Sequence, residues 1–196
     1  MRILAGEFKG RSLLSPPPGG TTRPITGSVK KSLFGMLGER LDGWAVLDLY
    51  CGTGSLGLEA LSRGADICCF AERDRRALDR LKRNIDSLGI GDKCAVWTGD
   101  LTSQLGGRLV GLHRPIDLAF VDPPYAQVRQ WSWPHVAEVI FSPIASSLGE
   151  NGAVALRVPG KVAVPERLGG LVVIRLRHYG DMTVALLKAE QAAPTS

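Results

Sequence analysis

Val46-Leu47-Asp48-Leu49-Tyr50-Cys51-Gly52-Thr53-Gly54-Ser55-Leu56-Gly57-Leu58-Glu59-Ala60-Leu61 reads as a short apolar run, a glycine-rich turn and the opening of a helical pattern. Val46, Leu47, Leu49 and Tyr50 suit a strand buried on both faces, while Leu56, Glu59, Ala60 and Arg63 separate an apolar from a polar side at helical spacing. Gly52, Gly54 and Gly57 allow positive φ and let a ligand approach the backbone where a Cβ would block it. The first N–H groups of the helix have no partners inside it, so the turn can hold an anionic group. Tyr50, Cys51, Gly52, Thr53 and Gly54 are therefore candidates for ligand contact.

Gly52-x-Gly54-x-x-Gly57 also fits the dinucleotide fingerprint, which is unspecific by itself. Asp48 is the discriminating neighbour, because a charge inside a buried strand is costly when unpaired. One reading is a cationic ligand. S-adenosylmethionine carries an ammonium, a carboxylate and a sulfonium but no phosphate, and suits an acid beside a glycine loop better than a pyrophosphate does. The other reading is that Asp48 orders the loop through backbone hydrogen bonds.

The 196 residues suit one domain with a small appendage, and 44% hydrophobic content is ample for a core. No apolar run reaches the roughly 18 residues of a membrane span, and no signal-peptide stretch opens the chain, so a cytoplasmic location is expected. Cys51, Cys68, Cys69 and Cys94 form no C-x-x-C pair, and with three scattered histidines they predict reduced thiols and no metal site.

The net charge of +5 is unevenly placed. Up to Gly43 seven basic residues face three acidic ones, leaving 17 of the 24 basic and 16 of the 19 acidic residues for the rest. The front end is the candidate polyanion-binding surface, with Lys9, Arg11, Arg23, Lys30 and Lys31 as its cations; a solvated charged face is the competing reading. No residue of this front end is expected in the ligand pocket.

Along the chain, residues 2–14 read as a hairpin around Lys9-Gly10, and Ser15-Pro16-Pro17-Pro18-Gly19-Gly20 as a loop. A helix follows, capped by Thr26 or Ser28, with Val29, Leu33, Leu37 and Leu41 on one face and Lys30 and Lys31 elsewhere on the surface. Residues 1–25 thus form a basic extension, 26–190 the main domain and 191–196 a frayed tail. After the glycine loop, residues 67–71 form a second buried strand ending at Glu72, at the spacing of an acid that accepts from both hydroxyls of a bound ribose; a surface Glu at a strand end is the competing reading. An amphipathic helix over 74–88 and a strand over 94–97 lead to Asp100, which contacts adenine on one reading and caps a helix on the other.

Residues 115–121 form a fourth strand, ending in Asp122-Pro123-Pro124-Tyr125. Ligands of open α/β sheets bind beyond the carboxyl ends of the strands, so this motif should share the crevice of the glycine loop. The prolines give no N–H donors, leaving carbonyl oxygens and the Asp122 carboxylate as acceptors. An acceptor cluster beside an aromatic ring suits the exocyclic amino group of a base, with Asp122 and Pro123 accepting and Tyr125 stacking; a plain strand-ending turn is the competing reading. Trp131, Trp133 and His135 either wall the pocket or belong to the core. A helix over 136–148, a fifth strand over 152–156 and a closing pair around Tyr179-Gly180 complete the reading.

These residues resemble the bacterial small-subunit ribosomal RNA guanine-N2 methyltransferases over nearly the whole chain. The resemblance rests on Met1-Arg2-Ile3-Leu4-Ala5-Gly6, Lys9-Gly10-Arg11, Arg23-Pro24-Ile25-Thr26, Leu33-Phe34, the Asp48 loop through Gly64, Glu72, the Asp122 motif and Tyr179-Gly180-Asp181. It implies the class I methyltransferase fold, a Rossmann-like seven-stranded sheet flanked by helices with its last strand antiparallel. It also implies S-adenosylmethionine as cofactor and small-subunit ribosomal RNA, or the assembling small subunit, as partner; a monomer is expected, although sequence does not give the oligomeric state. Gly27, Ser28 and Lys31 depart from the family's pattern, and Arg157 stands at a strand end where an acid is common. The rival readings are an adenine-N6 or DNA amino-methyltransferase, an NAD-dependent oxidoreductase and a catalytically silent RNA-binding module.

Overall fold

The computed structural model describes residues 1–17 and 25–190. Arg23 and the expected tail at 191–196 lie outside them. Helix α1 (Gly27–Leu37) starts at Thr26, whose side chain accepts from Val29 N, and ends at Gly38 with φ 113°. The helical face expected to include Leu41 stops a turn earlier, and Leu41 is buried beyond the helix. Strand β1 (Ala45–Leu49), buried at every residue, passes through the glycine loop into α2 (Ser55–Ser62). The alternation continues with β2 (Ile67–Glu72), α3 (Arg75–Leu88), β3 (Cys94–Thr98), α4 (Leu101–Val110) and β4 (Ile116–Val121).

After β4 come α5 (Tyr125–Val128), α6 (Trp133–Val136), a π turn (Ala137–Phe141) and α7 (Ser142–Ser147). The expected single helix is thus three pieces. Pro143 has no N–H to donate to Val139, and Ser142 Oγ donates to Ala137 O at 3.0 Å, so the ladder widens there. Then follow β5 (Leu148–Pro159), β6 (Arg167–Leu168), β7 (Leu171–Tyr179) and β8 (Met182–Ala189).

The sheet order is β3-β2-β1-β4-β5-β8-β7-β6. The first five strands are parallel neighbours, β8 is antiparallel to β5, and β7 to β8. The expected seven strands are present, and the two-residue β6 adds an eighth at the edge. Strand alternation sorts the core into two layers. Val46, Cys68, Phe70, Leu118 and Phe120 pack with Phe34, Leu58 and Leu81 of α1, α2 and α3. Leu47, Leu49, Ala71, Ala119 and Val121 pack with Leu105, Phe141 and Ile144 on the other side.

The N-terminal segment is less than a two-stranded hairpin. Arg2 and Ser12 form a single bridge, flanked by Ile3 N to Arg11 O and Gly10 N to Ile3 O at 3.0 Å each. Its conformation is imposed by partners in the main domain. Leu4 N and Ala5 N donate to the Glu59 carboxylate at 2.9 and 3.0 Å, and Leu14 N donates to Asn84 Oδ1 at 2.8 Å. Ile3 and Leu13 are buried in the same core layer as α1, α2 and α3.

Candidate functional site

The chain reverses direction across the sheet between β1 and β4, and the crevice at the carboxyl ends of such strands is where this architecture binds ligands. Asp48 points into it from the α2 side of β1. Its Oδ2 accepts from Gly57 N at 2.8 Å, so Asp48 does tie the strand to the first turn of α2. Its Oδ1 is buried without a partner, and the residue is 1% exposed. Burial pushes the carboxyl up to about 8, the Gly57 N–H opposes this, and the charges of Asp122 and Glu72 add to the rise.

The loop glycines divide their work. Gly52 and Gly54 take φ of 56° and 84°, which side chains rarely adopt. Gly57, by contrast, is needed for packing: a Cβ there would lie 2.4 Å from Phe70 Cε1 and 2.6 Å from Cys68 Sγ. Among the described residues Tyr50 is the only non-glycine with positive φ, at 58°. Thr53 Oγ1 is buried without a partner. Cys51 is buried, and burial raises its thiol well above the ordinary range.

Glu72 is brought beside the loop by the β1–β2 register, in which Leu49 faces Ala71. Its Oε2 accepts from Gly52 N at 2.9 Å, and its Oε1 accepts from Arg73 N and Asp74 N at 2.8 Å each. A carboxylate has about four acceptor sites, so these bonds leave room for about one more, not for both ribose hydroxyls. Asp100 is exposed and caps α4, accepting from Thr102 N at 3.0 Å. Hydrogen bonds from the Thr102 hydroxyl and backbone hold its carboxyl below the usual range.

Asp122 N donates to Leu49 O at 3.3 Å, so the Asp122-Pro123-Pro124-Tyr125 turn starts directly beside the end of β1. The Pro124 carbonyl is spent on α5, accepting from Gln127 N and Val128 N. Tyr125 is half-buried against the core. The expectation that Asp122 faces the site as an open acceptor is incomplete. Register places Val121 opposite Leu156, and the next residue along, Arg157, grips Asp122 with Nε and Nη2 at 2.5 and 2.9 Å.

Two small hollows border these groups. One, of about 40 Å³, is lined by Asp48, Gly52, Asp122 and Arg157, and also by Met1, Pro16 and Ile25. The front end therefore does contribute a wall to the pocket, contrary to expectation. The other, of about 20 Å³, is lined by Tyr50, Glu72, Arg73, Gly99, Asp100 and Gln127. Tyr50 borders both, and its hydroxyl accepts from Gln127 Nε2 at 3.3 Å. A much larger groove, about 900 Å³, includes Asp42, Gly64 and Lys93, which precede β1, β2 and β3. It lies at the amino ends of those strands, and none of its residues holds a buried orphan polar atom, so its size does not make it the site.

The front-end cations separate. Lys30 is not on the surface: it is 3% exposed, pairs with Glu59 at 2.8 Å and donates to Arg2 O, which removes it from any polyanion surface. Lys9, Arg11 and Lys31 are exposed. Arg11 Nη2 donates to Ser87 O at the end of α3, and Lys31 lines the large groove, so neither joins the Asp122 crevice. Arg73, which sequence reading passed over, is the exposed cation at the mouth. Trp131 and Trp133 meet edge to face at 5.4 Å and pack on the core, while His135 is exposed. Among the described residues no group of three His, Cys, Asp or Glu is arranged to hold a metal, and no helix is long and apolar enough to cross a membrane.

The parallel sheet with an inserted antiparallel strand, the glycine loop after β1, the acid ending β2 and the Asp-Pro-Pro-Tyr turn after β4 together define the class I methyltransferase fold. The chain belongs to the family described as Conserved hypothetical protein 95, whose family model matches residues 1–188. It is 36% identical over 191 residues to the "Putative rRNA methyltransferase YlbH" of Bacillus subtilis, covering 96% of this chain and 98% of the relative. It is 35% identical over 125 residues to the ribosomal RNA small subunit methyltransferase D of Escherichia coli, a match that spans 64% of this chain and 60% of the relative. Among solved structures, a hypothetical protein of Thermus thermophilus superposes with a TM-score of 0.77 at 25% identity, covering 96% of this chain and 99% of that one.

Proposed function

We propose that the protein transfers a methyl group from S-adenosylmethionine to the exocyclic N2 amino group of one guanine in small-subunit ribosomal RNA. The observation that carries this reading is the convergence of Asp48, the glycine loop, Glu72 and Asp122-Pro123-Pro124-Tyr125 at one end of the sheet. The names of the relatives from Bacillus subtilis and Escherichia coli support ribosomal RNA as the substrate class.

The residues present fit this cofactor. Asp48 Oδ1 is a buried acceptor in want of a donor, and a carboxyl raised to about 8 is restored to its ionised form by a cation. Asp48 is assigned to the ammonium, the backbone of residues 51–54 to the carboxylate, Glu72 to a ribose hydroxyl, and Asp100 or its neighbours to adenine. The hollows are far smaller than the roughly 300–1,000 Å³ of a typical ligand site, so the walls made by Tyr50, Met1, Pro16 and Ile25 must yield to admit it.

When bound, S-adenosylmethionine supplies an already activated methyl group. The protein's task is alignment. Asp122 and the Pro123 carbonyl accept the amino N–H atoms and aim the nitrogen lone pair, and Tyr125 stacks on the base. Such positioning can offset about 7 to 11 kcal/mol of the barrier in favourable cases. Lys9, Arg11 and Lys31 are assigned to phosphates away from the crevice, which position the RNA without selecting its sequence.

The test is transfer of labelled methyl to small-subunit RNA and to assembled particles, followed by nucleoside mass spectrometry. N2-methylguanosine is expected. N6-methyladenosine, or methylation of DNA alone, would replace this reading by its nearest rival.

A further inference from the structure

Asp122 has both carboxylate oxygens engaged. Arg157 Nε donates to Oδ1 at 2.5 Å and Nη2 to Oδ2 at 2.9 Å, with the two side chains only 7% and 16% exposed. The Arg157 guanidinium carbon also lies 5.7 Å from the centre of the Tyr125 ring. One side chain thus spans the acid and the aromatic of the turn, from a different strand.

The electrostatic surroundings explain why a cation is placed there. The charged and titratable neighbours are Asp48 from β1, Tyr50 and Cys51 just beyond it, Glu72 from β2, Tyr125 after β4, Arg157 from β5 and the Met1 amino group. The Met1 amino group is committed to Leu13 O and Ser15 Oγ at 3.1 Å each. Three carboxyl groups therefore share this end of the sheet with one buried guanidinium. Burial pushes Asp122 up, and the Arg157 charge and hydrogen bonds pull it back down.

Building on the methyltransferase reading, we propose that Arg157 is the positioning residue of the transfer site, holding Asp122 as an ionised, acceptor-only carboxylate in one orientation. An ionised carboxylate presents about four acceptor sites, so two remain for the incoming amino group after Arg157 has taken its pair. A protonated Asp122 would instead carry an O–H donor that opposes an N–H. The two parallel bonds also stop the carboxylate from rotating, which a single-point lysine contact does less well.

The experiment labels aspartate carboxyl carbons with 13C and assigns Asp122 by the resonance missing in Asp122→Asn. Asp122 is then titrated in the wild type, Arg157→Gln and Arg157→Lys. Asp122 should titrate higher by more than about one pH unit in Arg157→Gln, with Arg157→Lys between. Single-turnover transfer to RNA should fall about tenfold at neutral pH in Arg157→Gln and recover as pH rises through the new value, while S-adenosylmethionine affinity stays within about twofold. An unmoved Asp122 titration overturns the proposal. So does a loss of transfer that is flat with pH and not relieved by lysine. If the wild type transfers nothing to RNA, the guanine reading fails, and the carboxyl titration still decides the role of Arg157.

Discussion

Lys30 Nζ lies 2.8 Å from Glu59 Oε2 in the interior, with side chains 3% and 0% exposed. Arg63 completes the group at 3.0 Å from Glu59 Oε1 and lays its guanidinium 4.5 Å from the centre of the Phe34 ring. Glu59 thus joins α1, α2 and the N-terminal segment. Removing one member of a buried pair leaves an uncompensated charge, at a cost of about 3–5 kcal/mol. Glu59→Ala is expected to lower stability by that order and to expose the N-terminal segment to limited proteolysis. A denaturation midpoint unchanged from wild type would show that the network contributes nothing net.

The burial of Lys30 sets it apart from the exposed cations Lys9 and Lys31. Lys9→Ala with Lys31→Ala should flatten the slope of log affinity against log salt for RNA by about 1.4–1.8, at roughly 0.7–0.9 for each phosphate no longer neutralised. Lys30→Met should leave the slope untouched. Filter binding across a salt series checks both, and a Lys30 effect equal to that of the double variant would return Lys30 to the binding surface.

Asn84 couples the N-terminal segment to the glycine loop. It is 1% exposed, accepts from Leu14 N at 2.8 Å and donates to Thr53 O at 2.9 Å. Asn84→Ala strands the buried Thr53 carbonyl, at a cost of about 1–3 kcal/mol, together with the half-buried Leu14 N–H. Lower thermal stability together with weaker S-adenosylmethionine binding is expected from calorimetry. Full affinity in a destabilised variant would show that the Thr53 backbone does not depend on this anchor.

Asp48 sets a pH dependence with a definite sign. Its folded value, about 8, lies above the unfolded one near 3.8. The folded state therefore binds more protons between those values, and stability falls as pH rises through the window, by at most about 1.4 kcal/mol per unit. Asp48→Asn should flatten that fall, so its melting temperature gains on the wild type from pH 5 to pH 8. Parallel pH profiles for the two proteins would contradict the assignment.

Glu72→Gln keeps the shape of the side chain but weakens its hold on Gly52 N, Arg73 N and Asp74 N. S-adenosylmethionine affinity should fall about tenfold, with transfer restored at saturating cofactor, as expected when binding and not chemistry is impaired. A loss of kcat with unchanged affinity would move Glu72 from the cofactor to the acceptor side.

The sequence by itself determined the alternation of buried strands and amphipathic helices, the glycine loop and the two acids at strand ends. Each of these is written in local periodicity or in a motif a few residues long. The carboxyl-end rule for open sheets then placed residues 48–54, 72 and 122–125 in one neighbourhood without any knowledge of contacts. Partner choice was decided only in three dimensions. Lys30 reads as a surface cation until Glu59, 29 positions along, is folded beneath it, and low dielectric makes such a pair stick together. Arg157 reads as an oddity until the β4–β5 register sets it beside Asp122. Met1 and Pro16 carry no ligand signal, yet docking of their segment on Glu59 and Asn84 makes them walls of the hollow beside Asp48. Long-range pairing depends on which surfaces the whole chain brings together, and no window of neighbouring residues contains it.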